Sequence, residues 1–483
     1  MFDLAKFDDY REDNRREVKS AKHGLPVSLW DTYSAFANCY GGVIILGVKE
    51  KPDGSWYTTG LKDPAKLQKD FWDTINNHTK ISINLLSDHH IEVFQKDDDT
   101  IMVIHVPAAR REQKPVFIND DLFGGTFRRN WEGDYHCTRE EVKAMLRDQA
   151  ENTSDMKILT DFKMSDLNME TVHLYRNRHN AYRSEHVWES LTDEEYLERI
   201  GAARISSDDG TLHPTAAGLL MFGEEYKILY EYPEYFLDYR EMLDPSIRWT
   251  DRVQSSSGDW TGNLFDFFFR VYPKLTKDLK IPFKLEGITR IDDTPVHKAI
   301  REALANCLVN TDFFIRRGVV IKKDIDQITF ENPGSIRTGK DQMLKGGISD
   351  PRNKALMKMF NMIGIGERAG SGVPSILQTW STQGWNPPQV EEQYGPDRTR
   401  LTLTLTNIDG QDVRQDVRQD VPQESMDDKI EKLIRNNQSI TAKEMAEHLK
   451  VNEKTIRRHI KKMDHIHYIG SGFSGHWKII DEE

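Results

Sequence analysis

Residues 30–48, WDTYSAFANCYGGVIILGV, read as a helix that stops at Gly41-Gly42 and passes into a short buried strand, VIILGV. Helix, glycine turn and apolar strand in that order are the signature of an α/β domain. A second strand follows at 101–107, IMVIHVP. A charged helix at 138–149, TREEVKAMLRDQ, opens with a Thr-x-x-Glu capping pattern and closes a first domain over 1–150.

Upstream lies REDNRREVKSA (11–21). In a helix, Glu12 and Glu17 would point about 140° apart and could not share a ligand. In a strand, Glu17 and Lys19 project from one face while Val18 enters the core. Glu50 follows the VIILGV strand and could converge on the same place. Two or three carboxylates can hold Mg²⁺ or Mn²⁺, which activates water, and a lysine offsets charge on a phosphorane-like transition state. A surface stretch rich in both charges is the alternative, and spacing alone leaves it open.

Downstream, 151–290 reads as a connecting α/β or helical domain, with a Thr192/Glu195 capping box and a buried helix in LHPTAAGLLMFG (212–223). Residues 291–408 form another α/β unit: helix 296–310, strands 318–323 and 327–331, a glycine-bearing loop, helix 352–362 and an alternating strand, TRLTLTLTNI (399–408). Glu302, Asn306 and Asn310 stand four apart on one helix face. Glu302 suits a general base that positions water, and Asn306 suits Mg²⁺ ligation through its amide oxygen. ENPGSIRTG (331–339) adds Asn332 and Gly334, and GIGERAGSGVPSI (364–376) adds Gly366, Gly370 and Gly372 at a helix start. Such glycines let backbone N–H groups approach phosphates, although a turn and a helix cap explain them equally.

The unit QDVRQDVRQDVP (411–422) repeats every four residues and stops at Pro422, a solvated linker over 409–423. Beyond it, 424–483 read as a winged helix-turn-helix. Met426, Ile430, Leu433 and Ile434 line one helix. Thr441 with Glu444 caps a second, in which Met445 and Leu449 face inward. Asn452 caps a third, EKTIRRHIKKM, which buries Ile456, Ile460 and Met463. YIGSGFSGHWKII completes the module as a hairpin. Facing outward on the third helix are Lys454, Thr455, Arg457, Arg458, Lys461 and Lys462, cations for phosphates beside side chains that reach base edges. A module used for protein contacts is the other reading.

Glu12-x4-Glu17-x-Lys19 and SAFANCYGGVIILGV-x-Glu50 together resemble the divergent AlbA domain shared with Schlafen proteins, over roughly 8–145. The resemblance implies a three-carboxylate RNase site at Glu12, Glu17 and Glu50, and a basic strand in GTFRRN (125–130) whose Arg128 and Arg129 contact nucleic acid. Val18 replaces the usual Phe and Glu50 a common Asp. REALANCLVNTDF, ENPGS and ERAGSGV resemble the GHKL-type ATP-binding sandwich that follows the AlbA domain in bacterial "RecG-like" regulators. Here Asn310 stands where His is usual and Asn332 where an Asp accepts from adenine. The "DV" linker and terminal winged helix complete that family's pattern, which implies ATP, DNA or RNA as partners and a homo-oligomer.

Composition bounds these readings. The 483 residues are too many for one core and suggest three or four domains. No apolar run spans a membrane and the start lacks a secretory pattern, and Cys39, Cys137 and Cys307 are far apart, all of which fits a cytoplasmic protein. A net charge of −12 confines nucleic-acid contact to local basic patches. Three functions follow: a nucleotide-responsive DNA-binding transcriptional regulator, a Schlafen-type metal-dependent RNase or nuclease in stress or antiphage defence, or a non-catalytic oligomeric scaffold.

Overall fold

In the computed structural model the N-terminal residues form a strand–helix–strand unit: β1 spans Arg16–Lys19, α1 Ser28–Asn38 and β2 Gly42–Leu46. The structure describes residues 2–277, 279, 284–286, 289–291, 294–366, 370–395, 397–406, 426–449, 451–461, 463, 465–470 and 475–479. β3 (Val48–Glu50) and β4 (Trp56–Thr58) make a hairpin, α2 spans Pro64–Ile75, and β5 (Ile91–Lys96) and β6 (Asp99–Val106) complete a four-stranded sheet ordered β1-β2-β6-β5. β1 runs parallel to β2, and the other pairings are antiparallel.

The continuous apolar run of β2 is explained by burial on both faces. Ile44 and Leu46 pack with Leu29, Tyr33 and Phe36 of α1 and Phe71 of α2. Ile45 points the other way, into a cluster with Val18, Trp56 and Phe7. Each such side chain contributes about 1.5–3 kcal/mol. The Gly41-Gly42 pair is sterically required. A Cβ on Gly41, at φ +72°, would meet the Val106 carbonyl at 2.7 Å, and one on Gly42 would meet the Phe36 ring at 2.7 Å. β7 (Phe127–Asn130) and β8 (Gly133–His136) form a hairpin beside α1. α3 (Arg139–Gln149) follows, with the Thr138/Glu141 capping box formed on both sides.

The chain continues through α4 (Met169–Tyr182), α5 (Asp193–Ile200), β9 (Ala203–Ile205), β10 (Leu212–Pro214), α6 (Ala216–Phe222), α7 (Glu225–Glu231), β11 (Leu237–Met242), β12 (Asp251–Gln254) and α8 (Leu264–Thr276). Then come β13 (Lys284–Glu286), β14 (Thr289–Ile291), α9 (Pro295–Val309), β15 (Val319–Asp324), β16 (Gln327–Pro333), α10 (Lys340–Lys345), α11 (Lys354–Met362), α12 (Gly372–Thr382), β17 (Gln389–Gln393) and β18 (Arg398–Thr404). A six-stranded sheet, β12-β11-β15-β16-β18-β17, carries α9 against β16, with α8 and α12 beside α9. This sheet crosses the division expected at 290, because β11 and β12 come from the middle segment. β11 pairs in parallel with β15, Leu237 opposite Val319.

The chain divides into two compact units, 1–410 and 411–483. In the second, α13 (Met426–Asn436), α14 (Ala442–Leu449) and α15 (Glu453–Ile460) pack with β19 (Ile466–Ile469) and β20 (His476–Ile479). Ile430, Ile434, Met445, Ile456, Ile460 and Met463 form its core. Thr441 and Glu444 exchange hydrogen bonds with each other's backbone N–H, and Asn452 accepts from the Lys454 N–H at 3.0 Å. The linker expected at 409–423 lies outside the described residues, as does Lys462.

Candidate nucleotide pocket and nucleic-acid surfaces

α9 and the loop after β16 frame a pocket in the first unit, lined by Glu302, Asn306, Asn310, Asn332, Gly370 and Gly372. The expected helix face is therefore turned toward the expected glycine loop. Asn306 donates its amide N–H to Glu302 Oε1 at 3.0 Å, which leaves its amide oxygen as an acceptor. The Glu302 carboxylate fits against bare backbone, since a Cβ on Gly372 would stand 2.1 Å from its Oε1. Asn310 is held at both ends: it donates to the Asn306 carbonyl at 3.0 Å and accepts from the Arg352 N–H at 3.3 Å. Asn332 donates at 3.3–3.4 Å to the carbonyls of Pro333 and Asn310, which leaves its oxygen as an acceptor. Gly366 lies beside Glu302, 3.7 Å from its Oε2 to an added Cβ. Gly334 is set behind the pocket, where the Arg352 guanidinium fills the space its Cβ would take.

The residues present fit a nucleotide. Asn306 offers an oxygen for Mg²⁺, Asn332 an acceptor for an exocyclic amine, and the start of α12 offers backbone N–H groups for phosphate. Sequence reasoning passed over Arg337 and Asp350 in the same wall; their only signal was position within and after ENPGSIRTG.

The N-terminal acids take a different arrangement from the expected metal site. β1 does place Glu17 and Lys19 on one face, with Lys19 Nζ 2.9 Å from Glu17 Oε1. Glu17 Oε2 is taken by Arg129 Nη2 at 2.8 Å. Glu12 Oε1 accepts from the Val18 N–H at 2.9 Å. Burial raises the Glu12 carboxyl to about 7; the Val18 hydrogen bond opposes this, the Glu17 and Glu50 charges add to it, and Arg129 opposes it. Among the described residues no group of three or more His, Cys, Asp or Glu side chains is placed to hold a metal ion. In this arrangement both Glu17 oxygens face cations, Lys19 on one side and Arg129 on the other, while the Glu17 and Glu50 charges both act on Glu12.

Arg128 and Arg129, expected on a nucleic-acid surface, are both buried. Adjacent residues of β7 point to opposite faces. Arg129, its side chain fully buried, bonds Glu17, Asp134 Oδ1 at 3.0 Å and the Asp13 carbonyl at 2.9 Å. Burial opposes its charge, but Asp134 and Glu17 outweigh that and raise its pKa. Arg128 turns the other way, to Glu141 and to Asp397 Oδ1 at 2.7 Å, with its guanidinium over the Tyr394 ring. It joins the N-terminal segment to the loop before β18. Arg147 with Asp312 (2.8 Å), Arg352 with Asp148, and Arg111 with Asp350 (2.5 Å) cross the same junction.

On α15, Lys454, Arg457 and Arg458 are exposed, as is Lys461 at its C-cap, and Thr455 is half-buried. Arg457 pairs with Glu453 at 2.7 Å one turn back. The helix thus presents a cationic face whose apolar opposite side is the core of the module. Among the described residues no helix is long and apolar enough to cross a membrane.

No curated protein matches the chain. The DIP2311 protein from Corynebacterium diphtheriae matches at 18% identity, with 96% of this chain and 79% of that one covered and a TM-score of 0.40. The N-terminal domain of a RecG-related protein from Nitrosomonas europaea matches at 27% identity, with 26% and 82% covered and a TM-score of 0.20. A domain of unknown function matches residues 143–238. The family model "Schlafen, AlbA_2" matches residues 8–138, "Putative ATP-dependent DNA helicase recG C-terminal" residues 317–403, and "HTH domain" residues 427–468. The chain therefore carries, in order, the AlbA, ATPase-like and helix-turn-helix segments that its sequence resemblance implied.

Proposed function

We propose that the chain is a nucleotide-responsive DNA-binding regulator. The observation that carries the reading is the convergence of Glu302, Asn306, Asn310, Asn332, Gly370 and Gly372 on one pocket. Residues up to 70 positions apart in sequence meet there with the donors and acceptors that a nucleotide and its Mg²⁺ use. The helix-turn-helix segment, with the exposed cations of α15, supports DNA as the macromolecular partner. A metal-dependent nuclease centred on Glu12, Glu17 and Glu50 is disfavoured by the pairing of Glu17 with Lys19 and Arg129.

The test is the affinity of the full chain for labelled duplex DNA, single-stranded DNA and tRNA, with and without MgATP, across a salt series. Tighter binding to duplex DNA, with an affinity that MgATP changes, is the expected outcome. Affinity indifferent to saturating MgATP removes the nucleotide from the function, and preference for tRNA moves the partner to RNA.

A further inference from the structure

The pocket that α9 frames has a volume of about 150 Å³. Pockets that enclose a drug-sized ligand run to roughly 300–1,000 Å³, so a wall must recede before a nucleotide is enclosed. The walls are not equally firm. Ala303 and Cys307 on the α9 side and Phe330 on the sheet side are buried core residues. Another wall is the segment 335–350, in which no residue is fully buried, α10 included. It backs onto a second cavity of about 740 Å³, where Arg111, Lys114 and Met145 face Ile336, Arg337 and Asp350. A weakly packed wall between a small pocket and a large cavity is the one that gives way at least cost.

Charge holds this wall in place. Arg111 Nε donates to Asp350 Oδ2 at 2.5 Å. Arg111 is itself fixed to the end of α3, donating Nη1 to the carbonyls of Asp148 at 2.9 Å and Gln149 at 3.3 Å. Asp350 has a second cation on its own segment: Arg337 Nε stands 3.4 Å from the same oxygen and has no hydrogen-bond partner among the described residues. Arg111 has a second acid, Glu112, whose Oε1 is 3.2 Å from its Nε. When the wall recedes, Asp350 passes to Arg337, which travels with it, and Arg111 keeps Glu112. Neither arrangement leaves a charge without a counter-ion, so the exchange avoids the cost of a stranded charge and gives two discrete positions.

We propose that the AlbA-like segment holds the pocket shut through the Arg111–Asp350 pair, an autoinhibitory latch released when Asp350 passes to Arg337. The inference rests on the nucleotide reading above and adds the contact by which one segment regulates the other. The coupling is reciprocal: a filled pocket frees Arg111, and whatever draws Arg111 away within the AlbA-like segment opens the pocket.

The experiment is calorimetric titration of the full chain with MgATP, for wild type, Arg111→Met and Arg111→Lys. The melting temperature and the hydrogen exchange of 335–350 are measured in each unliganded protein. Arg111 does not line the pocket, so its loss removes no contact to the ligand. Releasing one charge-assisted hydrogen bond that must otherwise open corresponds to roughly 10-fold tighter MgATP binding in Arg111→Met. Arg111→Lys falls between, and 335–350 exchanges faster in unliganded Arg111→Met than in wild type. MgATP affinity unchanged or weaker in Arg111→Met, with wild type binding, overturns the latch and leaves the nucleotide reading standing. Faster exchange spread over the whole first unit, with a lower melting temperature and no gain in affinity, assigns Arg111 to structure and overturns it too. Binding of MgATP by neither wild type nor Arg111→Met removes the nucleotide reading and the latch with it.

Discussion

Replacing Arg129 by Met tests whether the N-terminal charge cluster is an internal scaffold or a nucleic-acid surface. The guanidinium is fully buried and makes charge-assisted bonds to Glu17 at 2.8 Å and Asp134 at 3.0 Å, while lying over the Phe36 ring at 5.2 Å. Removing one member of a buried ion pair costs about 3–5 kcal/mol, chiefly because the remaining charge stays desolvated. Here the losses are partly offset. Glu17 keeps Lys19 at 2.9 Å, and Asp134 keeps the Thr32 hydroxyl at 2.6 Å. The methionine also retains some of the packing against Phe36. About 3 kcal/mol is therefore expected, a large part of the 5–15 kcal/mol typical of a folded domain. Urea unfolding followed by tryptophan fluorescence should show an earlier first transition in Arg129→Met. Adding Glu17→Gln should recover at least about 1 kcal/mol, because the stranded charge is gone. A loss under about 1 kcal/mol, combined with weaker nucleic-acid binding, would refute the reasoning and return Arg129 to the surface role its sequence suggested.

The Glu12 carboxyl, raised from an ordinary 4.5 to about 7, binds its proton more tightly in the folded state. Stability of the first unit should fall as pH rises from about 4.5 to 7, by on the order of 2 kcal/mol, and Glu12→Gln should flatten that slope in pH-dependent melting. Arg128→Met strips a cation from Glu141 and Asp397 at the junction of the AlbA-like segment with the six-stranded sheet. Faster hydrogen exchange at β7 and at β18 is the expected result, with α15 unchanged. The double variant Arg457→Ala/Arg458→Ala should weaken duplex binding and lower the slope of log affinity against log salt by about 1 for each phosphate that the protein no longer neutralises. An unchanged slope assigns DNA binding to another surface.

Much of the fold was legible because local rules and tertiary packing agree over these stretches. The capping boxes at Thr138, Thr192 and Thr441 form as their spacing suggests. Val18 turns inward between Glu17 and Lys19 because β1 is a strand. The middle segment was harder to read because its strands hide polar residues in the core. Asp238 of β11 is fully buried, neutralised by Arg240 and by Arg252 of β12 at 2.9 Å. A carboxylate in that position disguises the apolar alternation by which a strand is recognised. The parallel partner β15 lies some 80 residues on, beyond any local pattern.

The candidate site was legible where one element sets the geometry and illegible where distant charges choose partners. Glu302, Asn306 and Asn310 share a helix face, so their meeting in one pocket needed only α9 to form. The Arg128-Arg129 pair carried a warning in its own sequence, since neighbours in a strand cannot both reach one ligand. What the sequence could not show was the allocation of carboxylates at the junction. Five arginines, Arg111, Arg128, Arg147, Arg337 and Arg352, meet Glu141, Asp148, Asp312, Asp350 and Asp397 there. Numbers balance, yet Arg128 takes both Glu141 and Asp397, while Asp350 approaches Arg111 at 2.5 Å and Arg337 only at 3.4 Å. Desolvation makes such sharing unequal, because a buried carboxylate gains most from the cation that reaches it at hydrogen-bond distance. The weakest pairing in the cluster then falls on Arg337, which shares Asp350 with the closer Arg111.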